Sequence, residues 1–178
     1  LWGSEINTNR VDASLKIGYV FPELPFQSFG FQSAYSHHKQ DAFYGFRVYD
    51  IDHQSVYTNF LFNSIIANTK NKFKAGLNFS YDRYLETVDT FYFNRSDRSV
   101  GSFFEYSYDS LENFSLVGGV RVDVHNRLGT FMTPRLHLRY LPQEKTIIRL
   151  SAGSGRKAAN IFAENQTLFG TNRRVNIV

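Results

Sequence analysis

Residues Val11–Phe21, VDASLKIGYVF, and Lys72–Asp82, KFKAGLNFSYD, decide the fold. In the first stretch Val11, Ala13, Leu15, Ile17, Tyr19 and Phe21 alternate with Asp12, Ser14, Lys16 and Gly18. In the second, Phe73, Ala75, Leu77, Phe79 and Tyr81 alternate with Lys72, Lys74, Gly76, Asn78, Ser80 and Asp82. Successive side chains of a strand point to opposite faces. A period of two over about ten residues therefore describes a strand with one apolar and one wet face.

The alternation recurs in eight runs, at about 10–21, 28–37, 54–67, 72–85, 99–108, 114–125, around Leu136, Leu138 and Tyr140, and at 146–154. Short links follow the odd-numbered runs: Pro22–Gln27, Asn68–Asn71, Asp109–Asn113 and Pro142–Lys145. Longer ones follow the even-numbered runs, notably 38–52 and 86–98. Strands of about 9–11 residues, joined by tight turns at one end and longer loops at the other, are the pattern of an outer-membrane barrel. The reading is an all-β chain: about eight antiparallel strands of an up-and-down transmembrane β-barrel, with odd strands running inward and even ones outward.

Composition agrees. The 178 residues are 17% aromatic, with 18 Phe and 11 Tyr, yet the mean hydropathy is −0.34. Aromatic enrichment in a polar chain is what interfacial girdles produce; the competing architecture is a soluble aromatic-rich β-sandwich. No run approaches the ~18 apolar residues of a spanning helix. Cysteine is absent, which excludes disulfides and thiolate metal sites. The net charge of +4 comes without a basic run, so nucleic acid is not indicated.

Eight strands could close a small barrel. However, the residues after strand eight keep no alternation, Leu1 is not Met, no signal-peptide pattern appears, and Arg174–Val178 closes no strand. The expectation is that residues 1–178 are a contiguous arc of a larger wall.

The stretch from Thr133 onward resembles the TonB-dependent outer-membrane receptors, especially those of the Bacteroidetes. Thr133-Pro134-Arg135-Leu136 and Arg139-Tyr140-Leu141-Pro142 are similar to that family's strand, periplasmic turn and following strand. Ser151-Ala152-Gly153-Ser154-Gly155-Arg156-Lys157-Ala158-Ala159-Asn160, then Ala163-Glu164-Asn165, resembles its Gly-x-Gly-aromatic-Arg stretch and the Pro- or Asn-containing loop after it. Here Arg156 follows Gly155 directly, and Lys157 stands where the family more often has Arg after an aromatic. The resemblance marks Gly153, Gly155, Arg156, Asn160, Glu164 and Asn165 as family-motif positions. It implies a wall of ~22 strands around a plugged lumen, with energy supplied through TonB. The plug and the remaining strands lie outside these residues. In isolation, such an arc is expected to leave the tail from Gly155 unordered or recruited to cover an edge.

The two long links concentrate aromatics and charges. Tyr44, Arg47 and Tyr49 in the first, and Tyr92, Arg95 and Arg98 in the second, are the ligand-binding candidates. Aromatic rings stack on flat ligands, and Arg forks onto carboxylates or metal-chelate oxygens. The competing reading is an ordinary solvated loop whose ion pairs contribute little. His37-His38 with Asp41 suggests a metal, but adjacent strand residues point to opposite faces, so no resident metal or cofactor is assigned. Gly153 and Gly155 lack the rest of a phosphate-cradle signature. Asn78-Phe79-Ser80, Asn113-Phe114-Ser115 and Asn165-Gln166-Thr167 match a glycosylation sequon that bacterial origin makes irrelevant. No catalytic set emerges, and the chain is not read as an enzyme. Lys72, Lys74, Asp82, Arg121, Asp123, Arg135, His137 and Arg139 share the wet faces. Each would cost ~2–4 kcal/mol near mid-membrane on the lipid side, so these faces belong to a lumen.

The expected function is nutrient uptake across a bacterial outer membrane by a TonB-energised receptor. Its partners are the lipid bilayer, TonB through the plug, and a small molecule such as a ferric siderophore, haem, cobalamin or a glycan. A structural or adhesive barrel and a soluble sandwich binding module are the alternatives.

Overall fold

The computed structural model describes residues 3–24, 26–110, 112–165 and 169. The strands are β1 (Ser4–Val20), β2 (Ser28–Tyr44), β3 (Arg47–Ile66), β4 (Asn68–Val88), β5 (Phe91–Tyr92), β6 (Arg95–Asp109), β7 (Phe114–His125), β8 (Gly129–Gln143) and β9 (Thr146–Gly153). They form one sheet in the order β1-β2-β3-β4-β6-β7-β8-β9, with the two-residue β5 paired to β4. Every ladder is antiparallel. The eight expected strands are thus present as eight long ones. β1 and β9 are edges that do not pair with each other, so the described sheet is an open arc. No second sheet covers it among the described residues, which removes the sandwich alternative.

Register assigns the faces, because directly opposed residues of an antiparallel ladder share a side. One row reads Ile17, Phe31, Phe60, Leu77, Ser102, Val122, Met132. Rows of the same parity add Leu15, Tyr19, Phe29, Phe79, Val100 and Phe104. This outer face is apolar yet uncovered: Ile17 is 58% exposed, Leu77 59% and Met132 61%. The adjacent row of opposite parity reads Lys16, Gln32, Asn59, Asn78, Gly101, Asp123, Phe131 and belongs to the inner face. An exposed apolar band this continuous is what a bilayer covers.

The stretches 38–52 and 86–98 are not the long loops expected. They are strand: the halves of β2 and β3, and of β4 and β6, at the ends expected to run outward, closed by turns at Gly45-Phe46 and Asp89-Thr90. Gly45 has φ 65°, a left-handed value that glycine adopts without strain. β4 is 21 residues long, roughly 70 Å at ~3.3 Å per residue, whereas a tilted crossing needs only ~9–11 residues. Its apolar outer face ends at Tyr81. Beyond that point the outer residues are Arg83, Leu85 and Thr87, and the inner residues Glu86 and Val88 are buried. The amphipathic phase inverts where the strand leaves the bilayer, and that inversion is what broke the alternation in the sequence.

Past Gly153 the chain turns onto the inner face instead of covering an edge. Ser154 N donates to the Pro134 carbonyl at 3.1 Å, and the Arg156 guanidinium lies 5.4 Å from the centre of the Phe131 ring. A single helical turn, α1 (Ile161–Glu164), follows. The remainder of the expected tail, 166–168 and 170–178, lies outside the described residues.

Candidate functional site

The buried apolar cluster lies on the inner face at the outward ends of the strands. Tyr49, Ile51, Val88 and Phe169 form it, with Tyr44, Tyr84, Phe93 and Phe162 packed around them. Tyr49 stacks on Phe169 at 5.0 Å, Tyr44 on Phe169 at 5.8 Å, and Phe93 meets Phe162 at 4.8 Å. Beneath this layer Glu86 is 0% exposed. Its Oε1 accepts from the Tyr49 hydroxyl at 3.0 Å and from Asn160 Nδ2 at 3.1 Å, while its Oε2 pairs with Arg95. A buried carboxylate is tolerated only when paired and hydrogen-bonded, and here both oxygens have donors. The Arg95 guanidinium sits 3.9 Å over the Tyr84 ring, and His53 stacks on the same tyrosine at 4.2 Å. Burial, and then the Glu86 charge, push the Tyr49 phenol well above its ordinary pKa. Burial likewise raises Tyr84, to about 12. Both phenols therefore stay neutral at physiological pH, and the Tyr49 hydroxyl is a donor to Glu86.

Toward the opposite end the inner face carries ion pairs. Arg121 forks onto Asp123 at 2.7 and 2.8 Å, and Lys74 (3.9 Å) and Arg135 converge on Glu105, while at the edge of the aromatic layer His53 Nε2 meets Asp82 at 2.9 Å. A Cβ on Gly101 would fall 2.2 Å from Asp123 Oδ1 and 2.6 Å from the Asn78 side-chain amide, so glycine is what lets this polar row close. Between the wall and the crossing segment lies a cavity of ≈ 340 Å³, lined by Ser80, Ser99, Arg121, Phe131, Arg156 and Ala158 among others.

Of the ligand-binding candidates, Tyr44, Arg47, Tyr49 and Arg95 share the inner face at the outward end. Tyr92 pairs with Thr87, and Arg98 with Tyr81, which places both on the outer face. Tyr49 is buried and bound to Glu86. His37 and His38 lie on opposite faces, and His37 bonds Asp52 at 3.0 Å. Among the motif positions, Gly153 ends β9, Gly155 begins the crossing and Arg156 rests on Phe131. Asn160 caps α1 by accepting from Ala163 N at 3.2 Å. Glu164 accepts from Lys157 at 2.7 Å, which holds its carboxyl below the usual range, and Asn165 closes the turn. The sequence puts Glu86 at the start of the expected link 86–98 without singling it out, and Phe93 and Phe162 carry no distinguishing signal. A lone acid between Tyr84 and Val88 in the inverted phase was the available signal.

No curated protein and no solved structure matches the chain. The family model described as TonB dependent receptor-like, beta-barrel matches residues 2–176, in agreement with the antiparallel arc and its exposed apolar band. Members of that family are outer-membrane transporters that work with TonB. The chain belongs to the TonB-dependent receptor family, and the sheet it forms is outer-membrane β-barrel wall.

Proposed function

We propose that this wall belongs to a receptor that captures a scarce nutrient outside the cell, a metal chelate such as a ferric siderophore, haem or cobalamin, or a glycan, and passes it inward when TonB pulls on a plug. Further strands complete the ring, since the edges of β1 and β9 carry unpaired backbone groups that lipid does not tolerate. The observation that carries the reading is the aromatic and charged layer on the inner face, at strand ends standing beyond the apolar band. In that layer the Tyr44 hydroxyl and Gln40 Nε2 are buried without a hydrogen-bond partner. Buried polar atoms are nearly always satisfied, and a bound polar molecule supplies what these two lack.

The test uses the full-length receptor in cells with and without TonB. Iron-loaded siderophores, haemin, cyanocobalamin and labelled oligosaccharides are offered in turn. Uptake of one of them, lost without TonB, is the expected result. Uptake of none, with normal assembly and surface adhesion, would favour a structural barrel.

A further inference from the structure

The crossing segment 154–165 lies against the inner face, and Asn160 ties it by a hydrogen bond to Glu86 on β4. Glu86 on β4 is fully buried. Its own wall supplies Tyr49 and Arg95, and the remaining donor, Asn160 Nδ2, comes from the segment. Arg95 is fixed over Tyr84, so it is poorly placed to swing across and replace that donor. Phe162 then settles against Phe93 and, at 6.3 Å, Tyr49. At the near end, Gly155, Arg156 and Ala158 line the same cavity as Ser80, Ser99 and Arg121. The segment is therefore one side of that cavity, and its position fixes the cavity's shape.

We propose that Asn160 and Glu86 form a latch that positions segment 154–165 as a wall of the ligand path, so that this segment sets what the site accepts. This rests on the uptake reading above. Asn160 and Glu86 are positioning residues; the chemistry of contact belongs to the groups lining the cavity.

The latch can be cut without losing the helix cap. Asn160→Ser keeps a capping side chain but is too short to reach Glu86. Asn160→Asp also caps, and sets a second carboxylate against the first. The 178 residues contain no cysteine, so spin labels at Thr90→Cys and Ala159→Cys in the full-length receptor, with any cysteines elsewhere replaced, report on the segment alone. In native outer membranes the parent should give one narrow label-to-label distance distribution, broadened in Asn160→Ser and more so in Asn160→Asp. Uptake of whichever probe above proves TonB-dependent should show a half-saturating concentration raised about tenfold, the scale of one hydrogen bond to a charged group, with the maximal rate kept. An unchanged distance distribution in Asn160→Ser would overturn the latch. A broadened distribution with unchanged half-saturation would overturn its role in selecting ligand. If no probe is taken up, the uptake reading fails, while the distances still decide whether the latch exists.

Discussion

Leu77 is the position where the two faces can be weighed against each other. It lies midway along the apolar outer face of β4, four residues from Phe73 and four from Tyr81, and is 59% exposed. At ~3.3 Å per residue and a tilt near 45°, each margin is roughly 9 Å away along the bilayer normal. Leu77→Arg therefore carries a charge close to the midplane, at a cost of ~2–4 kcal/mol, whereas arginine at the margin costs ~0–1 kcal/mol. Tyr57 is the control: its inner-face side chain is 37% exposed, so Tyr57→Arg projects into water. The assay is reversible unfolding of the full-length receptor in lipid vesicles, followed by heat-modifiable migration on gels. Leu77→Arg should lower the assembled-to-unassembled ratio roughly thirty- to several-hundred-fold, Tyr81→Arg by less than tenfold, and Tyr57→Arg hardly at all. Equal losses at Leu77 and Tyr57 would mean that both faces are packed against protein, and the assignment of faces would fall.

Orientation is checked at the hairpin tips: Phe46→Cys, at a fully exposed turn, and Thr90→Cys should react with an impermeant thiol reagent on intact cells, and labelling only after lysis would reverse the topology. Gly101→Ala should destabilise by about 1–3 kcal/mol through overpacking, because its Cβ would meet Asp123 and Asn78 inside contact distance; denaturant midpoints measure it. Tyr49 has a raised folded-state pKa, so above pH ~10 the unfolded chain releases a proton that the folded one keeps, and stability falls as pH rises. Tyr49→Phe should flatten that slope, and an alkaline stability profile identical to the parent's would refute the assignment.

Fold class was legible because the outer face of each strand meets lipid for its whole crossing. Val11–Tyr19 and Phe73–Tyr81 keep one parity without interruption, and the structure preserves that parity across every ladder. The paired charges were legible for the same reason, and Arg121 and Asp123 do share the inner face. What composition and period could not supply was depth of packing. Asn78 reads as an ordinary wet-face residue, yet it is 3% exposed beneath the polar row at Gly101. The crossing of segment 154–165 was invisible because it depends on a contact between Asn160 and Glu86, far apart in sequence.

The outward halves of the strands were misread for a more instructive reason. Within the bilayer the apolar parity faces out, toward lipid. Beyond it the outer face meets water, and the inner face packs against the chain's own crossing segment. On β3 the apolar positions are Val56, Phe60 and Phe62 on the outer side, then Ile51 and Tyr49 on the inner side. On β4 they pass from Tyr81 to Val88. Around each switch both parities hold mixed residues, such as His53, Gln54 and Ser55, and the stretch resembles a loop. A strand that changes solvent must change phase, so the switch point is itself a reading of where the membrane ends. The same inversion on neighbouring strands, between Val56 and Ile51 and between Tyr81 and Val88, sets one continuous margin. Above that margin the inner face becomes the packed one, and Glu86, the acid buried there, is the group to which the crossing segment attaches.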